Sequence, residues 1–256
     1  MTKEQIIDHG DGPALVLIPG IQGRWQYMQS TVDALSREFR VITFSLSSVD
    51  LDGHVNDVAV AMRNAGADRA VICGVSFGGI VAARFAALHP ERTTALVLAS
   101  TPGPGWRVPE RHRLYARLPW LLGPLFLVES PWRMRAELRA AFPDGRTRRA
   151  YKASVLRTLV SAPISLGRMA ARARLIAESD LRSDCARIVA PTLVVTGEAA
   201  LDHVVPVESS REFAHLIHGA RIETIARTGH LGSVTRPDAF VAVVSRFVEG
   251  TRHAAA

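Results

Sequence analysis

One short segment, residues 71–79, constrains this chain most strongly. It reads Val-Ile-Cys-Gly-Val-Ser-Phe-Gly-Gly, an apolar run that ends in Gly-x-Ser-x-Gly, and helix-forming residues 80–88 follow at once. This order predicts a strand, a sharp turn and a helix, with Ser76 at the turn. A strained serine there leaves no room for Cβ atoms two residues away, which explains Gly74 and Gly78. The turn also lifts the hydroxyl to a helix N-terminus, where the N–H of Phe77 can face a developing negative charge.

Short apolar runs alternate with helical patterns along the first hundred residues and again after residue 190. Strands are predicted at 14–18, 41–44, 70–73, 95–99, 192–196 and 221–225, and helices at 30–39, 54–64, 80–88, 206–218 and 237–248. Continuous apolar strands between helices are typical of a parallel sheet covered on both faces. The sequence therefore predicts an α/β fold with a mostly parallel sheet flanked by helices.

The alternation is interrupted between residues 101 and 190, where the sequence is helix-leaning, rich in arginine and broken by prolines. We therefore predict a core domain of residues 1–103 and 188–256, and a helical cap inserted at 104–187 that lies over the ligand crevice. Residues 101–180 carry 15 Lys and Arg against 6 Asp and Glu, a net charge of +9. We interpret this charge as a solvated helical surface; inward-facing arginines that favour anionic substrates remain the alternative.

Composition excludes several classes of protein. No apolar run approaches the roughly 20 residues of a membrane span, and the polar start lacks a secretory pattern, so we expect a cytoplasmic protein without membrane contact. The two cysteines do not form a disulfide framework, and no Cys/His cluster has zinc spacing. We therefore expect neither a metal nor a cofactor. No nucleic-acid reader motif accompanies the basic charge, so nucleic acid is not an expected partner.

A serine nucleophile needs a base, and the base needs an orienting group. Among nine histidines, His230 follows a predicted strand in a short loop flanked by glycine. Loops at the carboxyl ends of parallel strands converge on one crevice, so His230 is the candidate base. Asp202 is the candidate acid in the loop after strand 192–196, and Glu198 in the same loop is the alternative. The resulting order along the chain is Ser76, Asp202, His230.

These motifs resemble those of the α/β-hydrolase superfamily over essentially the whole chain outside the cap. Residues 17–25 resemble the family's oxyanion loop, 202–206 its acid loop and 229–231 its histidine loop. The resemblance implies that the backbone N–H groups of Ile21 and Phe77 form the oxyanion hole. Two features depart from the family pattern. Pro19 replaces the usual histidine, and the acid loop is two residues longer before Asp202, which keeps Glu198 as an alternative.

The function that these residues favour is a serine hydrolase of small ester-like substrates, similar to a carboxylesterase. An enol-lactonase or C–C bond hydrolase on the same triad is the first alternative, because residues 229–240 are similar to those families. A ligand-binding signalling protein of the same fold is the second. Four tryptophans are candidate pocket residues: Trp25, Trp106, Trp120 and Trp132. The sequence does not indicate an oligomeric state.

Overall fold

The computed structural model describes residues 6–255, apart from the side chains of residues 126, 127 and 253–255. Seven strands form one sheet in the order β1-β3-β2-β4-β5-β6-β7, in which β1 is antiparallel to β3 and the other pairs are parallel. The strands are β1 Ile6–His9, β2 Ala14–Ile18, β3 Arg40–Phe44, β4 Ala70–Val75, β5 Thr93–Ala99, β6 Thr192–Thr196 and β7 Arg221–Thr224. The predicted α/β architecture is confirmed.

Twelve α-helices connect and cover these strands in the described part of the chain. They are α1 Gln29–Leu35, α2 Leu51–Asn64, α3 Phe77–Leu88, α4 Glu110–Arg117, α5 Pro119–Arg133, α6 Arg135–Ala141, α7 Gly145–Ser161, α8 Leu166–Glu178, α9 Arg182–Arg187, α10 Val207–Leu216, α11 Gly232–Thr235 and α12 Pro237–Ala255. A short 3-10 helix, Trp25–Met28, precedes α1.

The core consists of two apolar layers, one on each face of the sheet. Successive side chains of a strand point to opposite faces. In β4, Ile72 therefore packs with Phe77 and Phe85 in one layer, while Val71 and Cys73 pack in the other. Because β4 is buried between two neighbouring strands and two layers, it gives the turn at its carboxyl end a rigid support.

The edge strand β1 was not predicted from the sequence. Its four residues Ile-Ile-Asp-His are half-buried or exposed, and they form no continuous apolar run. Pairing with β3 defines this strand, with Ile6 opposite Phe44 and His9 opposite Val41. A local pattern could not have revealed that long-range partner.

Helices α4 to α9 all lie between strands β5 and β6, where the helical insertion was predicted. The last of them, α9, packs against α3 and α10 rather than with the other inserted helices. Leu181 and Cys185 are each 1% exposed and belong to the core layer that contains Phe77. Helix α9 thus packs with the core that covers the sheet, and the division of the chain into core and cap stays a prediction.

Candidate active site

The turn between β4 and α3 holds Ser76 in a strained conformation. Its φ of 54° and ψ of −121° lie in a region that residues with a side chain rarely adopt. A Cβ on Gly74 would lie 2.2 Å from the backbone oxygen of Gly78, and a Cβ on Gly78 would lie 2.2 Å from that of Ile18. Both glycines are therefore required by close backbone packing around the serine.

Three loops at the carboxyl edge of the sheet bring Ser76, His230 and Asp202 together. Nε2 of His230 lies 3.0 Å from Oγ of Ser76, and Nδ1 of His230 lies 3.4 Å from Oδ2 of Asp202. Because the carboxylate can only accept, Nδ1 carries the proton, and Nε2 is left to accept the serine O–H. The imidazole is thus oriented to take a proton from Ser76.

Asp202 is held in its ionised form by donors from two sides. Its Oδ1 accepts hydrogen bonds from the backbone N–H groups of Val204 at 2.9 Å and Val205 at 3.0 Å. Burial alone would raise the pKa of this carboxyl. The hydrogen bonds from His230, Val205 and Val204 outweigh burial, so the pKa lies below its usual 3.8. A carboxylate that stays ionised can stabilise a positive charge on the imidazole.

Glu198, the alternative acid, contacts the other end of the histidine loop. Its Oε1 accepts the backbone N–H of Arg227 at 2.7 Å, and its own backbone N–H donates to the oxygen of Thr228 at 2.8 Å. The structure therefore brings Asp202 to His230, and it places Glu198 where it fixes the path of the loop that carries His230.

Two backbone N–H groups near Ser76 are available to a ligand. Ile21 lies in the loop after β2, which turns back through a hydrogen bond from the N–H of Gly23 to the oxygen of Gly20 at 2.8 Å. Phe77 is the first residue of α3, where N–H groups have no partner within the helix. Among residues 6–255, neither the N–H of Ile21 nor that of Phe77 has an acceptor in the protein. This pair of donors is the arrangement expected of an oxyanion hole.

The four candidate pocket tryptophans occupy different environments. Trp25 is half-buried and lines a cavity of about 550 Å³ beside the oxyanion loop, and Trp106 is half-buried in the loop after β5. Trp120 and Trp132 are 77% and 70% exposed, and Trp132 lines a second cavity of about 570 Å³ on the insertion. Helix α5 packs on α4 and α8, and a Cβ on Gly167 of α8 would lie 3.7 Å from the ring of Trp120.

Glu137 of helix α6 was not identified from the sequence, although it contacts the histidine loop. Its side chain is fully buried, and Oε1 accepts the backbone N–H of Leu231 at 2.7 Å. Its other oxygen has no partner within the described residues. Burial raises the pKa of Glu137, although the N–H groups of Gly229 and Leu231 and the charge of His230 oppose that effect. The insertion thus supplies a buried carboxyl group beside the candidate base.

Arg172 of helix α8, also missed, holds the oxyanion loop from the insertion side. Its guanidinium donates to the backbone oxygens of Ile21 at 3.1 Å, Gln22 at 3.3 Å and Leu46 at 2.9 Å. A Cβ on Gly23 would lie 2.3 Å from this guanidinium, so the loop passes close to it. A planar group with five donors suits such a cluster of carbonyls. The position of Ile21 therefore depends on a residue about 150 positions later in the sequence.

The described residues contain neither a group of three or more His, Cys, Asp or Glu side chains that could hold a metal ion nor a helix long and apolar enough to cross a membrane. Both cysteines are buried and free, and burial raises the pKa of each thiol to about 12. Neither thiol is therefore an available nucleophile at neutral pH.

Comparison with known proteins agrees with this fold. The family model for the alpha/beta hydrolase family matches residues 15–243. The chain belongs to this family. This alpha/beta hydrolase is 28% identical over 272 residues to the polyketide synthase ThaQ of Burkholderia thailandensis. The alignment covers 99% of this chain and only 12% of that protein.

Two further alpha/beta hydrolase relatives align with this chain over nearly their whole length. A pimeloyl-[acyl-carrier protein] methyl ester esterase of Vibrio atlanticus is 26% identical, with 94% of this chain and 96% of that protein aligned. The crystal structure of an enol-lactonase from Burkholderia xenovorans superposes with a TM-score of 0.70 at 23% identity, covering 95% of each chain. At that identity, the second likeness supports the fold alone.

Proposed function

We propose that this protein is a serine hydrolase that cleaves small ester-like substrates through an acyl-enzyme, as a carboxylesterase does. The observation that carries the proposal is the 3.0 Å contact between His230 Nε2 and Ser76 Oγ, in a site that also presents two unpaired N–H groups. A nucleophile, a base and an oxyanion hole are the three elements that acyl transfer requires. The relative named as a methyl ester esterase supports ester substrates.

The first half of the reaction forms the acyl-enzyme. Oγ of Ser76 attacks the ester carbonyl carbon while its proton passes to Nε2 of His230. The carbonyl oxygen becomes an oxyanion that accepts hydrogen bonds from the N–H groups of Ile21 and Phe77, each worth about 3 kcal/mol to the transition state. The intermediate then expels the alcohol, which takes the proton from Nε2, and the acyl group remains on Oγ.

The second half releases the acid. A water molecule gives a proton to Nε2 of His230 and attacks the acyl carbon, and the same two N–H groups stabilise the second oxyanion. The bond to Oγ breaks, Ser76 regains a proton from Nε2, and the carboxylic acid leaves. Throughout, Asp202 accepts the Nδ1 hydrogen and stabilises the imidazolium. We further propose that the helices inserted between β5 and β6 act as a cap that forms part of the substrate pocket.

Turnover of a short chromogenic ester tests this function. The wild-type protein should hydrolyse many equivalents, and Ser76→Ala should lower kcat/KM on the order of a thousand-fold or more while the melting temperature changes little. A single burst without turnover would favour the ligand-binding protein of the same fold. Faster turnover of enol-lactones or vinylogous diketones than of esters would favour a lactonase or a C–C bond hydrolase.

A further inference from the structure

A cavity of about 550 Å³ lies between the oxyanion loop, the end of β3 and helix α8. Three arginines line it: Arg24 from the oxyanion loop side, and Arg168 and Arg172 from α8. The sequence of the insertion left open whether its arginines face solvent or the site. The structure places two of them, Arg168 and Arg172, on this cavity.

The cavity has a strongly positive lining. No Asp or Glu is among the described residues that line it. The carboxylate of Asp57 acts on Arg172, but it already accepts hydrogen bonds from the N–H groups of Ser47 and Ser48. Three guanidinium groups against one carboxylate leave an excess of positive charge next to a low-dielectric wall, and such a site attracts anions.

Two of these arginines are partly enclosed by the protein. Arg172 is only 3% exposed, and its Nε has no hydrogen-bond partner among the described residues. Nε of Arg24 is likewise buried without a partner within residues 6–255. Burial lowers the pKa of Arg172 to about 10, and the nearby charge of Arg168 acts in the same direction, so Arg172 is still charged at neutral pH. Because both Nε atoms are closed off from solvent, an anion in the cavity would interact with the positive charge of these side chains rather than with their Nε hydrogens.

The cavity adjoins the candidate nucleophile. Gln22, which lines it, belongs to the same loop as the oxyanion residue Ile21. A Cβ built on Gly20 would lie 3.4 Å from Cβ of Ser76 and 3.5 Å from the amide oxygen of Gln22. The side chains of Ser76 and Gln22 thus both lie close to Gly20. A substrate with its carbonyl at Ser76 would have to pass Gln22 to enter the cavity.

We propose that this cavity binds a carboxylate group of the substrate, remote from the scissile ester, through the guanidinium groups of Arg24 and Arg168, with the positive charge of Arg172 beside them. Planar guanidinium groups match a carboxylate in geometry as well as in charge. This inference rests on the proposed hydrolase function and specifies its substrate class: esters whose acid or alcohol part carries a negative charge.

Matched esters test the charge preference. Monomethyl esters of straight-chain diacids with four, six and eight carbons are compared with the corresponding neutral amide esters, which have nearly the same shape. For at least one chain length, kcat/KM for the acid should exceed that for the amide by about tenfold or more. The preference should shrink at high salt. Equal rates at every length would overturn the proposal while leaving the hydrolase function intact.

Substitutions locate the preference in the cavity. Arg168→Gln and Arg24→Gln should each lower the acid-to-amide ratio of kcat/KM by about tenfold. Arg157→Gln makes the same change in charge on the exposed face of α7, outside the cavity lining, and it should leave the ratio unaltered. If all three substitutions lowered the acid-to-amide ratio equally, the preference would come from the overall positive charge of the surface. That result would contradict the proposed binding site.

Direct binding separates this inference from the catalytic one. Titration calorimetry of Ser76→Ala with adipate needs no turnover. Saturable binding that is weakened about tenfold by adding Arg168→Gln would support the site even if no ester were hydrolysed. If none of the three diacids, succinate, adipate or suberate, binds saturably to Ser76→Ala, the proposal is wrong, whatever the rate on neutral esters.

Discussion

Oε1 of Glu137 accepts a hydrogen bond from the backbone N–H of Leu231 at 2.7 Å, which joins a helix of the insertion to the residue after His230. Arg133 makes a similar link, because its guanidinium donates to the backbone oxygen of His203, the residue after Asp202, at 2.6 Å. The inserted helices therefore hold the histidine loop and the acid loop, and their removal would release both.

Glu137 makes stability depend on pH in a way that can be measured. Because burial raises its pKa above 4.5, the folded protein binds this proton more tightly than the unfolded chain does. The contribution of Glu137 to stability is therefore greatest below pH 4.5, and it falls as the pH rises toward the raised value. Glu137→Gln cannot ionise at this position. The free energy of unfolding of wild type minus that of Glu137→Gln should thus decrease from pH 4 to pH 8 in urea titrations. A difference that is flat or that increases with pH would contradict this account.

The assignment of the acid predicts unequal effects of two neighbouring substitutions. Asp202→Asn should lower kcat on the order of ten-thousand-fold, because an asparagine amide favours the wrong imidazole tautomer. Glu198→Gln should have a small effect, since the glutamine oxygen can still accept the N–H of Arg227. Steady-state kinetics of both variants on one ester decide the matter. If Glu198→Gln were the more damaging, the longer acid loop would supply the orienting carboxylate from Glu198.

Arg172 should affect the chemical step through the oxyanion loop. In Arg172→Lys, a single ammonium cannot reach the three backbone oxygens that the guanidinium holds, so the N–H of Ile21 loses its alignment. On a neutral ester, kcat should fall on the order of tenfold with little change in KM. Arg174→Lys is the matched control, because Arg174 lies on the same helix and, within the described residues, donates to Ala116 alone. An unchanged kcat in Arg172→Lys would remove this positioning role.

The close packing at the serine turn predicts a steep cost for one added methyl group. In Gly78→Ala, the new Cβ would meet the backbone oxygen of Ile18 at 2.2 Å, so the strand or the turn must move. We expect a loss of several kcal/mol in unfolding free energy, together with loss of activity. Gly66→Ala is the control, because Gly66 has φ of 63° but open space around it. That variant should lose only about 1 kcal/mol. Thermal unfolding of both variants checks the difference, and equal losses would contradict the packing argument.

Local chemistry explains which parts of this molecule the sequence could predict. The constraint on Gly74 comes from Gly78, four residues later, and the Gly-x-Ser-x-Gly spacing is itself local, so the Ser76 turn is visible in the sequence even though Gly78 packs on Ile18. The buried strands are equally visible as apolar runs. The roles of Glu137 and Arg172 depend instead on contacts across 94 and about 150 residues, and nothing in their own helices marks them.

The tryptophans of the insertion show what composition alone leaves open. Large aromatic residues in the inserted segment are candidate pocket residues, and in the structure Trp120 and Trp132 are mostly exposed while Trp132 lines a cavity of about 570 Å³. Composition alone cannot tell which face of a helix packs inward when its neighbours are also inserted helices. The arginines carry the same ambiguity, because Arg172 faces the site while Arg157 faces solvent.

Covalent labelling tests the central claim, that Ser76 is an activated nucleophile. Its Oγ should attack the phosphorus of a fluorophosphonate, with loss of fluoride and transfer of the serine proton to His230. Peptide mass spectrometry of the treated protein should then find one adduct per chain, on Ser76, in step with the loss of ester hydrolysis. Ser76→Ala should remain unlabelled. Labelling at another residue, or hydrolysis that persists in Ser76→Ala at the wild-type rate, would contradict the proposed mechanism.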